Sequence, residues 1–83
     1  MSLVRVVPTG SAGADYFGST DEFEAEAGNL FQLVETLDRI APGFAEDAGM
    51  RLAFAVDGEL TEDWTVPLRE GAEVLIVMRI SGG

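Results

Sequence analysis

The stretch EVLIVMRI, residues 73–80, constrains the fold more than any other part of the chain. With the two-residue period of a strand, Val74, Ile76, Met78 and Ile80 fall on one face and Leu75 and Val77 on the other. A strand that is apolar on both faces belongs inside a sheet, with neighbours on both edges and cover on both faces. The opening LVRVVP, residues 3–8, is a second short β-branched run, stopped by proline, and also reads as a strand covered on both sides. The two runs are expected to lie side by side at the centre of one mixed sheet.

Between them the periodicity changes. TGSAGADYFGST has three glycines and no period, so it reads as a loop, with Tyr16 and Phe17 folding back onto the core. DEFEAEAG alternates Phe23, Ala25 and Ala27 with Glu22, Glu24 and Glu26, the pattern of an antiparallel strand near a sheet edge with one wet face. Asn29 then opens a helix over residues 30–41. Its side chain can cap the first amides, Gln32 stands at the reciprocal position, and Leu30, Leu33, Val34, Leu37, Ile40 and Ala41 recur at helical spacing. Glu35 and Arg39 are four apart, an exposed pair worth only a few tenths of a kcal/mol. Pro42-Gly43 ends the helix, and Phe44 is expected to turn back onto the core.

LAFAV, residues 52–56, reads as a strand, and Asp57-Gly58 suits a tight hairpin turn into a short return strand around Leu60. Trp64, Val66 and Leu68 cross in an irregular link, because Pro67 excludes an interior strand position. A turn at Glu70-Gly71 leads into the last strand, from residue 73 to about 79. The fold class expected is α+β: a mixed sheet with one main helix packed on its face.

At 83 residues the chain is expected to form one domain, 1–83, too small for a deep enclosed active site. Five arginines, no lysine and fifteen acids give a net charge of −10, which disfavours nucleic acid and anionic membranes and suits a basic protein partner. An acidic surface also simply keeps a small protein dispersed. Without cysteine or histidine there is no disulfide, no thiolate or imidazole nucleophile and no Cys/His metal site. No segment approaches membrane-spanning length and no signal-peptide pattern opens the chain, so a cytoplasmic location is expected.

The end, ISGG, poses the functional question. Glycine near 7% of residues makes a chance Gly-Gly at one place roughly a one-in-two-hundred event, so the pair alone says little. Its position says more. Four residues beyond a central strand reach on the order of 13 Å at about 3.3 Å each, and glycine lets a backbone pass a narrow channel. The reactive group of such a tail is the Gly83 carboxylate, which needs activation by a partner, since the chain has no phosphate-binding loop and no lysine.

VDGEL (56–60), PLREGAEVLIV (67–77) and ISGG (80–83), in this order of elements, resemble the ubiquitin-like β-grasp sulfur carriers of the MoaD/ThiS family. The resemblance spans nearly the whole chain. It implies that an E1-like adenylating enzyme uses ATP to activate Gly83, that the terminus becomes a thiocarboxylate, and that a second enzyme consumes the sulfur. In the molybdenum branch this is the large subunit of molybdopterin synthase. By position, Gly83 is the sulfur-bearing residue and Gly82 its channel-fitting neighbour, with Ile80 and Ser81 lining the approach in a tail of residues 80–83. The chain itself is then a carrier and not an enzyme, with no bound cofactor and no metal.

One departure is visible. Family members commonly carry a proline pair before the tail, where this chain has Val77-Met78-Arg79. The strand is therefore expected to run one or two residues longer, with Arg79 either contacting the partner's entrance or solvated. Carriers for thiamine, cysteine or other sulfur metabolites, ubiquitin-like modifiers, and a non-carrier β-grasp binding or regulatory module are the alternative readings.

Overall fold

In the computed structural model, which describes residues 2–9, 16–18 and 21–78, the two apolar runs pair as parallel strands. β1 (Ser2–Pro8) lies beside β5 (Glu73–Met78), with Arg5 opposite Glu73, Val6 opposite Val74 and Val7 opposite Leu75. β2 (Phe23–Ala27) pairs antiparallel with the other edge of β1. β3 (Leu52–Val56) pairs antiparallel with β5, and the short β4 (Glu59–Thr61) with β3. The order β2-β1-β5-β3-β4 puts β5 at the centre and β1 next to it, as expected.

One face of this sheet carries the core. Val4, Val6, Ala25, Ala27, Leu52, Phe54, Val74 and Ile76 are buried against α1 (Leu30–Ile40), which contributes Leu30, Leu33, Val34 and Leu37. Their three- and four-residue spacing puts all four on one stripe of the helix. Ile40 does not join them and is 56% exposed. At 100° per residue it lies about 70° from the centre of the stripe. Ala41, which is buried, completes the stripe after leaving helical geometry (φ −129°, ψ 88°). The cause is Pro42, whose ring disfavours helical angles in the residue before it.

The start of α1 is held by side chains. Asn29 Oδ1 accepts from the Gln32 amide at 2.8 Å. The Gln32 side chain reaches back one residue further than a capping box would, accepting from the Gly28 amide at 2.8 Å. The expected Glu35–Arg39 pair is not among the ion pairs of the described residues, which all involve Arg5 or Arg69.

A second helix, α2 (Phe44–Met50), was not expected from the sequence. Its apolar contacts are few, Phe44 and Ala48 one turn apart, too weak a period to stand out in FAEDAGM. Its first turn is tied down by Asp38 of α1, whose Oδ1 accepts from Gly43 at 3.1 Å and from Ala45 at 3.0 Å. A seven-residue helix depends on such tertiary contacts, because nucleation is unfavourable in a short segment alone. Phe17 and Tyr16 return to the core as expected. Tyr16 stacks edge-on against Phe44 with ring centroids 5.3 Å apart and donates from its hydroxyl to Asp47 at 2.6 Å.

The expectation of cover on both faces is corrected. α1 and α2 share one side of the sheet. On the other, Val7, Leu75, Val77 and Ala53 are only half-buried and Leu3 is exposed. Among the described residues both helices lie on the core side, so the second apolar face of β5 has no described helical layer over it.

Replacing Leu37 with alanine should cost about 2–5 kcal/mol, since a fully buried leucine loses transfer energy and leaves a cavity. Denaturant unfolding measures it, and a shift below about 1 kcal/mol would contradict the packing described. The amides of Leu75 to Val77 should be among the slowest to exchange, because β5 has a partner strand on each edge. Exchange there as fast as in β4 would overturn the central position of β5.

Candidate functional site

The route to the tail is set by the PLREGAEV segment. Leu68 is buried in the core, and its amide donates to Gly28 O at 3.0 Å. The chain then turns through Arg69 to Ala72, closed by Ala72 N on Arg69 O at 3.0 Å, with Gly71 at φ +82°. A side chain at that angle is strained, so the glycine is required by the turn. Three bonds fasten the turn to β1: Gly71 N to Leu3 O (2.9 Å), Arg5 N to Ala72 O (2.8 Å) and Leu3 N to Glu70 Oε1 (3.0 Å). The last strand thus starts in fixed register beside β1 and delivers Met78, opposite Leu52, at its far end. Arg79, Ile80, Ser81, Gly82 and Gly83, the site residues expected from the sequence, lie outside the described residues.

The hairpin residue Asp57 helps set the same register. Its left-handed backbone (φ 51°) and that of Gly58 (φ 86°) form the turn. Its side chain accepts from the Glu73 amide at 3.0 Å, while its own amide donates to Glu73 O at 2.8 Å. Arg69 Nε stands 3.3 Å from the other carboxylate oxygen. Asp-Gly therefore joins hairpin chemistry to the start of β5, a role that pattern reading assigned only to the turn.

The open sheet face beside the tail is graded in polarity. The pairing register aligns Val7, Leu75, Ala55 and Leu60 in one row across four strands, with Val77 beside Ala53 in the next. Ala55 is buried yet stands apart from the core cluster, as its place on this opposite face requires. Toward β2 the face becomes ionic: Arg5 bonds the Glu73 carboxylate and lies 3.8 Å from Glu22, with Glu24 its cross-strand neighbour. The hydrogen bond and charge of Glu73, then the charge of Glu22, hold the Arg5 guanidinium above its usual pKa. Both carboxylates remain partly solvated, so the cluster fixes register more than it adds stability.

No group of three or more acidic side chains able to hold a metal ion occurs among the described residues. No described helix is long and apolar enough to cross a membrane. The described residues present an apolar sheet face with an acidic flank beside β2.

No family model and no curated protein matches this chain. Solved structures do. The chain is similar to small archaeal modifier protein 1 from Methanosarcina acetivorans, with a TM-score of 0.81 at 15% identity, covering 100% of this chain and 98% of that one. It is similar to a putative molybdopterin converting factor subunit 1 from Pyrococcus furiosus, with a TM-score of 0.76 at 17% identity over 96% of this chain and 100% of that one. A third likeness is to a chain of the complex of subunits 1 and 2 of molybdopterin-converting factor from Helicobacter pylori, with a TM-score of 0.66 at 22% identity over 98% and 99%. At these identities the likeness shows the fold: the described residues form the ubiquitin-like β-grasp.

Proposed function

We propose that this chain is a MoaD/ThiS-type sulfur carrier, most specifically the small-subunit type that serves molybdopterin formation, and that it has no catalytic centre of its own. One coincidence supports the reading: full-length likeness to molybdopterin-converting-factor subunit 1, joined to a Gly-Gly placed just after the central strand. In this reading Gly83 is the chain's reactive end. An E1-like partner binds ATP, the Gly83 carboxylate attacks the α-phosphorus, pyrophosphate leaves, and the resulting acyl-adenylate carries AMP as a good leaving group. Hydrosulfide supplied by partner enzymes then attacks the acyl carbon, AMP leaves, and the terminus is a thiocarboxylate.

The sheet supports the tail mechanically. β5 is held on both edges, so a pull or a fit at residues 79–83 works against a rigid base. Gly82 passes the partner's channel as bare backbone, with Ile80 and Ser81 lining the approach and Arg79 at its entrance. The Helicobacter pylori neighbour is a complex of subunits 1 and 2, and a large synthase subunit is the acceptor proposed here. Thiamine, cysteine or another sulfur metabolite would use the same activation and a different acceptor.

A second reading, a ubiquitin-like modifier, is favoured by the TM-score of 0.81 with small archaeal modifier protein 1. It shares the adenylation and differs in the nucleophile, an amine in place of sulfur. Having no lysine, the chain cannot build side-chain-linked polymers of itself.

Intact and fragment mass of the protein from its native cells tests the carrier directly: one oxygen replaced by sulfur, placed at Gly83 by fragmentation. Deleting Gly83 should abolish ATP–pyrophosphate exchange by the cognate activating enzyme without moving the unfolding midpoint, and Gly82→Ala should slow exchange with the fold intact. Arg79→Ala should lower affinity only. Full exchange by the deleted chain would replace the carrier with a β-grasp binding or regulatory module. Affinity for the activating enzyme should fall as salt rises, since attraction between a −10 chain and a basic surface is screened within about 10 Å at 0.1 M salt. Salt-independent binding would assign the contact to the apolar row alone.

A further inference from the structure

β4 ends the strand order, and its backbone presents one residue's hydrogen-bonding groups to the sheet edge. The Asp57-Gly58 turn is a two-residue loop with both φ angles positive, so Val56 and Glu59 are its closing, hydrogen-bonded pair. Antiparallel pairs alternate between bonded and non-bonded, which turns the groups of the next residue outward. The other side of the hairpin agrees: Asp57 N donates to Glu73 O, away from β4. Leu60, opposite Ala55, therefore points its N–H and C=O away from β3. Its side chain is 70% exposed and ends the Val7-Leu75-Ala55-Leu60 row.

A concavity lies on each side of this residue. One, of about 330 Å³, is bounded by Val56, Asp57, Glu59, Leu60, Thr61 and Val66. The other, of about 130 Å³, runs from Thr61, Glu62 and Trp64 to Phe54 and the last turns of α2. Val56, Phe54 and Thr61 share the inward parity of their strands, so both hollows open beneath the edge, on the face opposite the Leu60 side chain. Val56 and Val66 in the first, and Phe54 and Trp64 in the second, give each an apolar part within a mixed lining, and the ionisable side chains among the described lining residues are acidic. Asp63 adjoins the second. The Thr65 hydroxyl at 2.6 Å, then the Thr65 amide at 2.9 Å, hold its carboxylate below the usual range, so it stays negative in mildly acidic solution.

We propose that the β4 edge is a strand-addition site for an extended segment of a protein partner with the order cation, apolar residue, cation. The apolar residue pairs with Leu60 through two backbone bonds and lengthens the apolar row by one strand. Its two neighbours, by the period of two, point to the other face. There each lays an aliphatic stem over one hollow and brings its charged head to Asp57 and Glu59, or to Asp63. A second copy of this chain is the wrong occupant, since pairing Leu60 with its own likeness would set the two Glu59 side chains diagonally adjacent in a pair of −10 chains. The site makes no use of Gly83, so it stands or falls separately from the carrier reading.

The test is a titration of the ¹⁵N-labelled full chain with the blocked peptide Thr-Arg-Val-Arg-Thr. Two control peptides carry an N-methylated valine or glutamate in place of both arginines. Saturable shifts are expected at Glu59 to Glu62 and at the Trp64 indole. N-methylation, which removes the bond to Leu60 O, should weaken binding about five- to tenfold, and the glutamate peptide should not bind. The variant Glu59→Gln, at an exposed position, should keep the unfolding midpoint and weaken binding several-fold. Four outcomes would overturn the proposal: no saturation at millimolar peptide, shifts centred on Val7 and Val77, undiminished binding of the methylated peptide, or peptide-free dimerisation through β4.

Discussion

Parallel pairing of β1 with β5 is the contact on which the other elements depend. It joins residues 68 apart in sequence, so its loop-closure cost is among the largest in the chain and must be offset by what it buries. Val6 and Val74 lie opposite each other on the core face, with Val4 and Ile76 flanking them, all fully or almost fully buried. The turn at Arg69 to Ala72 and the Asp57 side chain act at the same end of β5, holding its first residue in place. A slip of one residue would exchange Val74 and Ile76 for Leu75 and Val77. Because both sets are apolar, hydrophobicity alone discriminates weakly between the registers. Backbone bonds at Gly71, Ala72 and Glu73 and the Arg5–Glu73 ion pair supply the discrimination.

Once β5 is central, the distribution of cover follows. Both described helices lie in the one connection from β2 to β3, which crosses a single face of the sheet. The opposite face is therefore apolar through its middle strands and acidic toward β2. Such a surface suits a partner that is itself apolar with a basic border, and it continues to β4, where Leu60 closes the row. β5 ends at Met78, at the end of the strand opposite the Arg69–Ala72 turn, so the sheet face and the residues that follow β5 are separate features of the chain.

Much of the architecture was legible in the order of residues. The period of two in DEFEAEAG, the Asn29 cap with its apolar stripe, the Asp57-Gly58 turn and the doubly apolar last strand each express a local rule strong enough to survive in any packing. Ile40, α2 and the open face were not legible, for one shared reason: each depends on which side of an element a neighbour occupies. Ile40 has the helical spacing of a core residue but lies at the flank of the stripe. In α2, Phe44 and Ala48 carry too little period, and the helix is fixed by Asp38 and Tyr16 from elsewhere in the chain. Leu75 and Val77 read as buried because an apolar side chain records a preference, not the presence of a covering layer.

By itself, the sequence determined the type and order of the strands and of α1, and the absence of cysteine, histidine and lysine. These follow from short-range sterics, capping and amino-acid identity, which need no knowledge of distant contacts. It also placed Gly-Gly after the central strand, the feature from which the carrier reading grew. Only the tertiary structure decided that both helices share one face, that Arg5 sits between Glu73 and Glu22, and that β4 stands at an edge with Leu60 turned outward. Those are outcomes of strand order and register, which arise when segments distant in sequence compete for the same apolar surface, and no local pattern encodes the winner.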